Sequence, residues 1–337
     1  MQLGADSINH QRVASELVRA VRGRRSCAEL SRRMGYRSNI VHRWETGQCW
    51  PSASRFLALQ QQRSARTGSW IERFFNMSPR WADGLDPVSP PAVAAFLQHL
   101  KGKTSVVRIA ELSGRNRYSV ARWIDGSTEP KLPDFLCLVD ACSRRLVDLV
   151  AALVDPAVVP CLQERWQQEQ LARKAAYELP WSHAVLRALE LADCPSGVTA
   201  QRAFIARKLG ISSDKVREAL TVLEATSQIK KQRGRFVPRE VMAIDTSRDP
   251  KGARELKVAW TATALDRLTS GADGRYGYSL FAVSRADLAR LHDLHLQYVR
   301  AMQEVIASSK PSECVGLYCA QLLDLGAGVQ GPTRRTW

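Results

Sequence analysis

A thirteen-residue segment of this chain returns 79 residues later. Residues 35–47, GYRSNIVHRWETG, are matched by residues 114–126, GRNRYSVARWIDG, with a glycine at each end and a shared Val and Arg-Trp pair. The same offset relates Pro51 to Pro130. Self-similarity at a fixed spacing indicates one structural unit used more than once. Two copies predict a tandem duplication rather than a solenoid.

Each copy of the repeat is predicted to consist of short helices. In the first copy Val13, Leu17 and Val21 recur at helical spacing. Gly35 is predicted to end a second helix, because glycine tolerates a positive φ, and Ser38 is predicted to cap the third. Two short helices joined by a glycine-containing turn are typical of a helix-turn-helix.

These residues resemble the Cro and phage-repressor type of helix-turn-helix domain. The resemblance covers roughly residues 7–154 and implies two tandem five-helix domains, at 7–78 and 88–156. Both copies depart from the family pattern, because the Gln often found early in the first motif helix is Cys27 or Val106 here. The residues that carry the resemblance are 30–36, 43–47 and Pro51, then 109–114, 122–126 and Pro130.

The resemblance also implies a DNA-contacting surface. Such domains place a recognition helix in the major groove with its N-terminal residues on base edges, where Arg can bind guanine and Asn adenine. For Arg43 and Arg122 a base contact, a phosphate contact and a salt bridge to a neighbouring helix are all open, whereas Trp44 and Trp123 are expected in the core. The predicted DNA-binding residues are Arg37, Ser38, Asn39, His42 and Arg43 in the first copy, and Arg115, Asn116, Arg117, Tyr118, Ser119 and Arg122 in the second.

The charge balance favours a polyanionic partner. The 337 residues carry a formal net charge of +16, and residues 1–154 contain 23 Lys and Arg against 13 Asp and Glu. A basic excess of this size suits nucleic acid. A membrane surface is disfavoured because the charge lies on helix-turn-helix patterns rather than on one long amphipathic helix. No apolar run reaches the roughly 18 residues of a transmembrane helix.

No enzymatic or metal-binding motif stands out. The chain lacks a P-loop, a G-x-S-x-G and an H-E-x-x-H, so we expect no catalytic residue and no cofactor. Its eight cysteines show neither C-x-x-C nor zinc-finger spacing, and His292 and His295 have no third ligand in the sequence. The absence of a secretory signal at the start favours a reduced, cytoplasmic and nucleoid-associated location.

Residues 163–240 are predicted to form a further DNA-binding unit. Phe204–Gly210 fits a first motif helix and turn, and Ile229–Val237 fits a hairpin with a basic tip at Gly234, so the region resembles a winged helix. A basic wing would add salt-dependent affinity for phosphates without sequence preference. The predicted helix after the turn contains acidic as well as basic residues. A structural or dimerising role for this unit therefore stays open. The predicted contacts are Ser213, Lys215 and Arg217 in the helix, and Lys230, Lys231, Arg233 and Arg235 in the wing.

Residues 250–326 are predicted to form a small α+β domain for dimerisation or sensing. We expect a strand at Tyr276–Val283, a helix from Arg285 to about Ser308 capped by Ser284, and a second strand at Cys314–Leu323. Segments 181–183, 278–285 and 315–319 are similar to the C-terminal part of a bacterial family of predicted transcriptional regulators. That resemblance covers roughly residues 160–325 and brings no assigned biochemical function.

The sequence therefore predicts a mostly α protein that binds double-stranded DNA as a transcriptional regulator, through tandem recognition helices. Because the two copies differ at their reading positions, any palindrome in the site is expected to come from a second chain. A homodimer contact and an effector or protein partner are both open for the C-terminal region. The alternative function is a protein-interaction adaptor that uses helix-turn-helix folds for docking; RNA binding is disfavoured because aromatic-rich sheet motifs are lacking.

Overall fold

The computed structural model describes residues 8–63, 68–76, 79–239, 246 and 249–326. Within these ranges each copy of the repeat has five α-helices, as predicted. The helices keep the offset of 79 closely. For example, α4 starts at Ala53 and α9 starts at the equivalent position, Leu132. The helices are α1 His10–Arg22, α2 Cys27–Arg33, α3 Ile40–Glu45, α4 Ala53–Arg63 and α5 Trp70–Phe75, then α6 Pro90–Lys101, α7 Val106–Ser113, α8 Arg117–Ile124, α9 Leu132–Ser143 and α10 Leu146–Leu153.

Equivalent side chains start the first motif helix in both copies. The Ser26 hydroxyl accepts a hydrogen bond from the Glu29 backbone N–H at 3.1 Å, and Ser105 accepts from Arg108 at 3.2 Å. Both are N-caps of the kind that offsets the unpaired amides of a first turn. Gly114 ends α7 in the left-handed conformation at φ 62°, where a side chain would be strained.

The two copies share one hydrophobic core. The Phe96 ring lies 4.7 Å from the ring of Trp70 and 5.2 Å from that of Phe74, centroid to centroid, and the Phe135 ring lies 6.0 Å from Phe96 and 6.3 Å from Trp70. All four side chains are almost fully buried. The copies therefore belong to one compact unit, which also contains α11, Gln163–Glu178.

The packing of the copies is reciprocal. The Ala53 amide donates to the Pro130 carbonyl at 3.0 Å, and the Leu132 amide donates to the Pro51 carbonyl at 2.9 Å. At the offset of 79, Ala53 is equivalent to Leu132 and Pro51 is equivalent to Pro130. Likewise α1 packs on α9 and its equivalent α6 packs on α4. An approximate two-fold axis thus relates the copies, as in an isologous dimer interface.

A buried group of charges ties this unit together. Asp148 on α10 is 2% exposed and lies 2.9 Å from the Arg145 Nε and 3.6 Å from an Nη of Arg173 on α11. Arg145 also donates to the Phe74 carbonyl at 3.1 Å and stacks on that ring at 4.3 Å. Burial, followed by the charge of Asp148, raises the pKa of Glu169 to about 7. One carboxylate therefore links α5, α10 and α11.

The remaining helices and a hairpin follow in order. A second compact unit contains α12, α13, α14 as far as Leu220, residues 231–237 and the chain from Arg254. Ser284 caps the last helix, as predicted, by accepting from the Asp287 amide at 3.0 Å. The elements are α12 Trp181–Leu189, α13 Val198–Leu209, α14 Ser213–Ala225, β1 Ile229–Gln232, β2 Arg235–Pro238, α15 Pro250–Thr269 and α16 Arg285–Ser308.

The strands predicted in the C-terminal region are not formed. Residues 276–283 and 314–323 are described by the structure, and neither pairs into a sheet. The prediction of an α+β domain there is therefore wrong for the described residues. Aromatic and apolar residues in a short run favour a strand, but a strand also needs a partner for its backbone amides. The unpaired segments leave large apolar side chains in solvent, including Tyr278 at 94% and Leu280 at 79% exposure.

Candidate nucleic-acid interface

The helix predicted as the first recognition helix, α3, is capped by Asn39 and not by Ser38. The Asn39 side-chain oxygen accepts from the His42 amide at 3.4 Å, while the buried Ser31 hydroxyl accepts from the Val41 amide at 3.1 Å. Two of the four unpaired amides of the helix start are thereby satisfied. The prediction of Ser38 as the cap is wrong, because Ser31 reaches across from α2 and fixes where the helix begins.

Helix α3 turns an apolar side inward and a basic side outward. Val41 and Trp44 are buried, which confirms the core position predicted for Trp44, whereas His42 and Arg43 are exposed. The Glu45 carboxylate accepts from an Nη of Arg22 at 3.3 Å and raises the pKa of that guanidinium. Because this ion pair attaches the C-terminal end of α3 to α1, the exposed side chains are carried on a fixed helix.

The helix predicted as the second recognition helix, α8, starts two residues earlier than α3 at the offset of 79. Asn116 caps it by accepting from the Tyr118 amide at 2.9 Å, and the equivalent of Ser31 is Ala110, which has no hydroxyl to offer. Helix α8 is therefore eight residues long and α3 six. The reading positions of the two copies differ in helix geometry as well as in residue type.

Exposed cations line both recognition helices. The Arg117 guanidinium lies 5.0 Å from the exposed Tyr118 ring. Arg37, Arg43 and Arg122 are exposed, and none of them makes an ion pair with another described residue. A salt bridge to a neighbouring helix therefore does not account for Arg43 or Arg122. Ser38, Asn39 and Asn116 are exposed beside them, while Ser119 is half-buried and Trp123 packs partly against the core.

Arg115 has a structural partner instead. Its Nε lies 2.9 Å from the Asp134 carboxylate on α9, and both side chains are more than half buried. Burial raises the pKa of Asp134, and the neighbouring Arg115 opposes that rise. The pair holds the turn before α8 against α9, so we leave Arg115 out of the proposed DNA contacts.

Sequence reasoning missed a group of arginines that exists only in the first copy. Burial lowers the pKa of Arg63, and the positive charges of Arg25 and Arg33 lower it further. The Arg63 Nε is buried without a hydrogen-bond partner. Glu29, which lies 3.4 Å from an Nη of Arg33, opposes this effect and offsets part of the positive charge of the group. The equivalent positions in the second copy are Thr104, Leu112 and Cys142. The signal in the sequence was that these three positions are arginine in the first copy alone.

Helices α11 to α14 and a two-stranded hairpin occupy the described part of the region predicted as a winged helix. Helix α13 ends at Gly210 in the left-handed conformation, and α14 follows after a short turn. Ser213, Lys215 and Arg217 are exposed on α14, but Arg217 lies 2.7 Å from Asp214. That ion pair removes much of the positive charge from this helix.

The hairpin after α14 carries its basic residues in solvent. Arg233 and Gly234 both have positive φ, 50° and 73°, as a two-residue type I′ turn requires. Gln201 on α13 fixes β2 by donating to the Phe236 carbonyl at 3.0 Å and accepting from its amide at 2.8 Å. The exposed cations of this hairpin are Lys230, Lys231, Arg233 and Arg235.

The described ranges also bear on metal binding and on membrane insertion. They contain no group of three or more His, Cys, Asp or Glu side chains arranged to hold a metal ion. His292 and His295 lie on α16, and the His295 ring stacks near Tyr318 at 6.4 Å. Of the helices that the structure describes, none combines the length and the apolar character needed to cross a membrane.

Comparison with known proteins gives one family match. Residues 165–322 match a domain of unknown function, DUF4423. The matched region starts within α11 and ends in the extended segment after α16. It coincides with the region for which the sequence predicted a regulator-type C-terminal part. No curated protein and no solved structure matches the chain.

Proposed function

We propose that this protein is a sequence-specific DNA-binding transcriptional regulator. The observation that carries the proposal is the pair of recognition helices, α3 and α8, whose exposed Arg43 and Arg122 occupy equivalent positions on one two-fold related unit. Neither guanidinium is used in an ion pair with a described residue. Arginine in that position can contact guanine or a phosphate. Arg117 and Tyr118 extend the helical part of the second contact surface by two residues.

Asn39 provides a test that separates base contact from helix capping. Serine is as good an N-cap as asparagine, whereas alanine costs about 1 kcal/mol. We therefore expect Asn39→Ser to unfold within a few tenths of a kcal/mol of the wild type, and to lose about 1–3 kcal/mol of preference at one base pair. Chemical denaturation and binding to a panel of single-base variants of a selected site would measure both.

The control for this substitution is Asn39→Ala, which should lose stability and base preference together. If Asn39→Ser kept the full wild-type preference at every position, Asn39 would be a cap alone. The contact set of α3 would then reduce to its cations and His42.

The wing is proposed to contact phosphates. Replacing Lys230 and Arg235 with Gln and Arg233 with Asn removes three cations, and Asn tolerates the positive φ of residue 233. Lys231 is kept because it lies 5.2 Å from the Phe236 ring. The slope of log K against log salt should become shallower by about 1 for each lost phosphate contact, with base preference unchanged.

A matched control removes three exposed cations from α15, at Lys251, Arg254 and Lys257. This variant has the same change of net charge, and its salt slope should stay close to that of the wild type. Equal slopes for the two variants would mean that the wing contributes only general charge.

An adaptor function remains the second candidate, and the Asp214–Arg217 pair on α14 favours it for the winged-helix part. The exposed apolar side chains of the C-terminal region also favour a protein contact, because patches of this kind mark interaction sites. Binding of the whole chain to random duplex DNA would separate the two candidate functions, since an adaptor should show little affinity at any salt concentration.

A further inference from the structure

We infer that one chain binds one DNA site composed of two unlike half-sites, which are inverted about the axis that relates the two copies of the repeat. The inference rests on the proposed function and goes further, because it specifies the arrangement of the bound DNA. In dimeric helix-turn-helix proteins two identical copies bind a palindrome. Here the pair is built within one chain from copies that differ at their contact positions.

The first support is the reciprocity of the contact between the copies. The Ala53 to Pro130 and Leu132 to Pro51 hydrogen bonds join equivalent atoms in both directions, and Ser52 and Lys131 form an antiparallel bridge between them. A head-to-tail arrangement of two domains would not give such a pattern. The recognition helices are therefore turned about a common axis, which is the arrangement that inverted half-sites require.

The second support is that the pair is held rigidly. Gln60 of the first copy donates to the Leu153 carbonyl of the second at 2.6 Å, and Arg73 donates to the Ala152 carbonyl at 2.7 Å. The connection between the copies is itself attached, since the Trp70 indole N–H donates to the Pro87 carbonyl at 2.8 Å. The copies thus present a single spacing to DNA.

The half-sites differ because the contact residues differ. Arg43 and Arg122 are shared, so one position in each half should be the same. At the remaining positions the first copy offers Ser38, Asn39 and His42 where the second offers Arg117, Tyr118 and Ala121. The starts of α3 and α8 also differ, because the Ser31 hydroxyl accepts from the Val41 amide and the equivalent Ala110 has no hydroxyl.

The test is selection of bound sequences from a random DNA pool with the whole chain, followed by a swap of contact residues. The wild type should select two unlike inverted segments about 10–10.5 base pairs apart, with one pair of copies on each site. The swap variant gives the second copy the contact residues of the first, through Ala110→Ser, Asn116→Arg, Arg117→Ser, Tyr118→Asn and Ala121→His. It should prefer a palindrome of the first segment over the wild-type site by about tenfold or more.

A single continuous segment, a direct repeat, or two unlike segments that do not respond to the swap would overturn the inference. The wild-type selection alone decides the arrangement of the half-sites if the swap variant fails to fold. Enrichment of no sequence would instead contradict the proposed function itself. The two failures are thereby distinguishable.

Discussion

The Asp148→Ala substitution is expected to lower the free energy of unfolding by about 3–5 kcal/mol, because it leaves buried cations without their carboxylate. Asp148 contacts Arg145 and Arg173, and Arg173 is 4% exposed. Replacing a carboxylate with a methyl group also removes the anchor that positions Arg145 on the Phe74 carbonyl. Chemical denaturation followed by far-ultraviolet circular dichroism would measure the loss.

The matched control is Glu111→Ala, which removes the carboxylate of an exposed ion pair. Its partner Arg108 lies 3.0 Å away, and both side chains are more than half exposed. Exposed pairs contribute about 0–1 kcal/mol, so this variant should unfold close to the wild type. If the two substitutions cost the same, the buried charges would not be what holds α5, α10 and α11 together.

The second large effect is expected in DNA binding. Changing Arg43, Arg117 and Arg122 to Ala together should weaken binding to a selected site by about a hundredfold or more, since each lost contact costs roughly 1–3 kcal/mol. All three side chains are exposed, so the fold should be unchanged. Fluorescence anisotropy with a labelled duplex would measure the dissociation constant.

The control variant removes three exposed cations outside the two copies, Lys174, Arg187 and Arg290, which are all in exposed ion pairs. It has the same net charge as the first variant. A specific role for the recognition helices requires the control to bind within a few-fold of the wild type. An equal loss in both variants would show that overall charge, and not α3 and α8, determines binding.

The repeat was the most informative part of the sequence for predicting the fold. A fixed offset specified which positions are equivalent, helical periodicity and glycine ends predicted the first helices of each copy, and the resemblance implied five helices in each. The sequence could not show that the copies pack on each other reciprocally. Pro51 and Pro130 were visible as a matched pair, but their hydrogen bonds to the opposite copy depend on a shared core that periodicity does not describe.

The candidate site was predictable to a similar degree. The exposed positions of Arg43 and Arg122 follow from their place beside Val41 and Val120 on a helix with one buried side. The cap of α3 was not predictable locally, because it depends on Ser31 from another helix. Arg115 was predicted to contact DNA by resemblance, whereas the structure pairs it with Asp134. The two residues are too far apart in the sequence for a local pattern to predict this ion pair. In the C-terminal region the strand-like composition gave no information about a pairing partner.

The most direct measurement of the central claim is the affinity of the whole chain for random duplex DNA as a function of salt. A protein that contacts phosphates with several cations loses affinity steeply, by about 0.9 in log K per log unit of salt for each neutralised phosphate. With recognition helices and a wing that present exposed cations, we predict a slope of about −4 or steeper. A flat dependence, or no measurable affinity at low salt, would contradict DNA binding and favour the adaptor function.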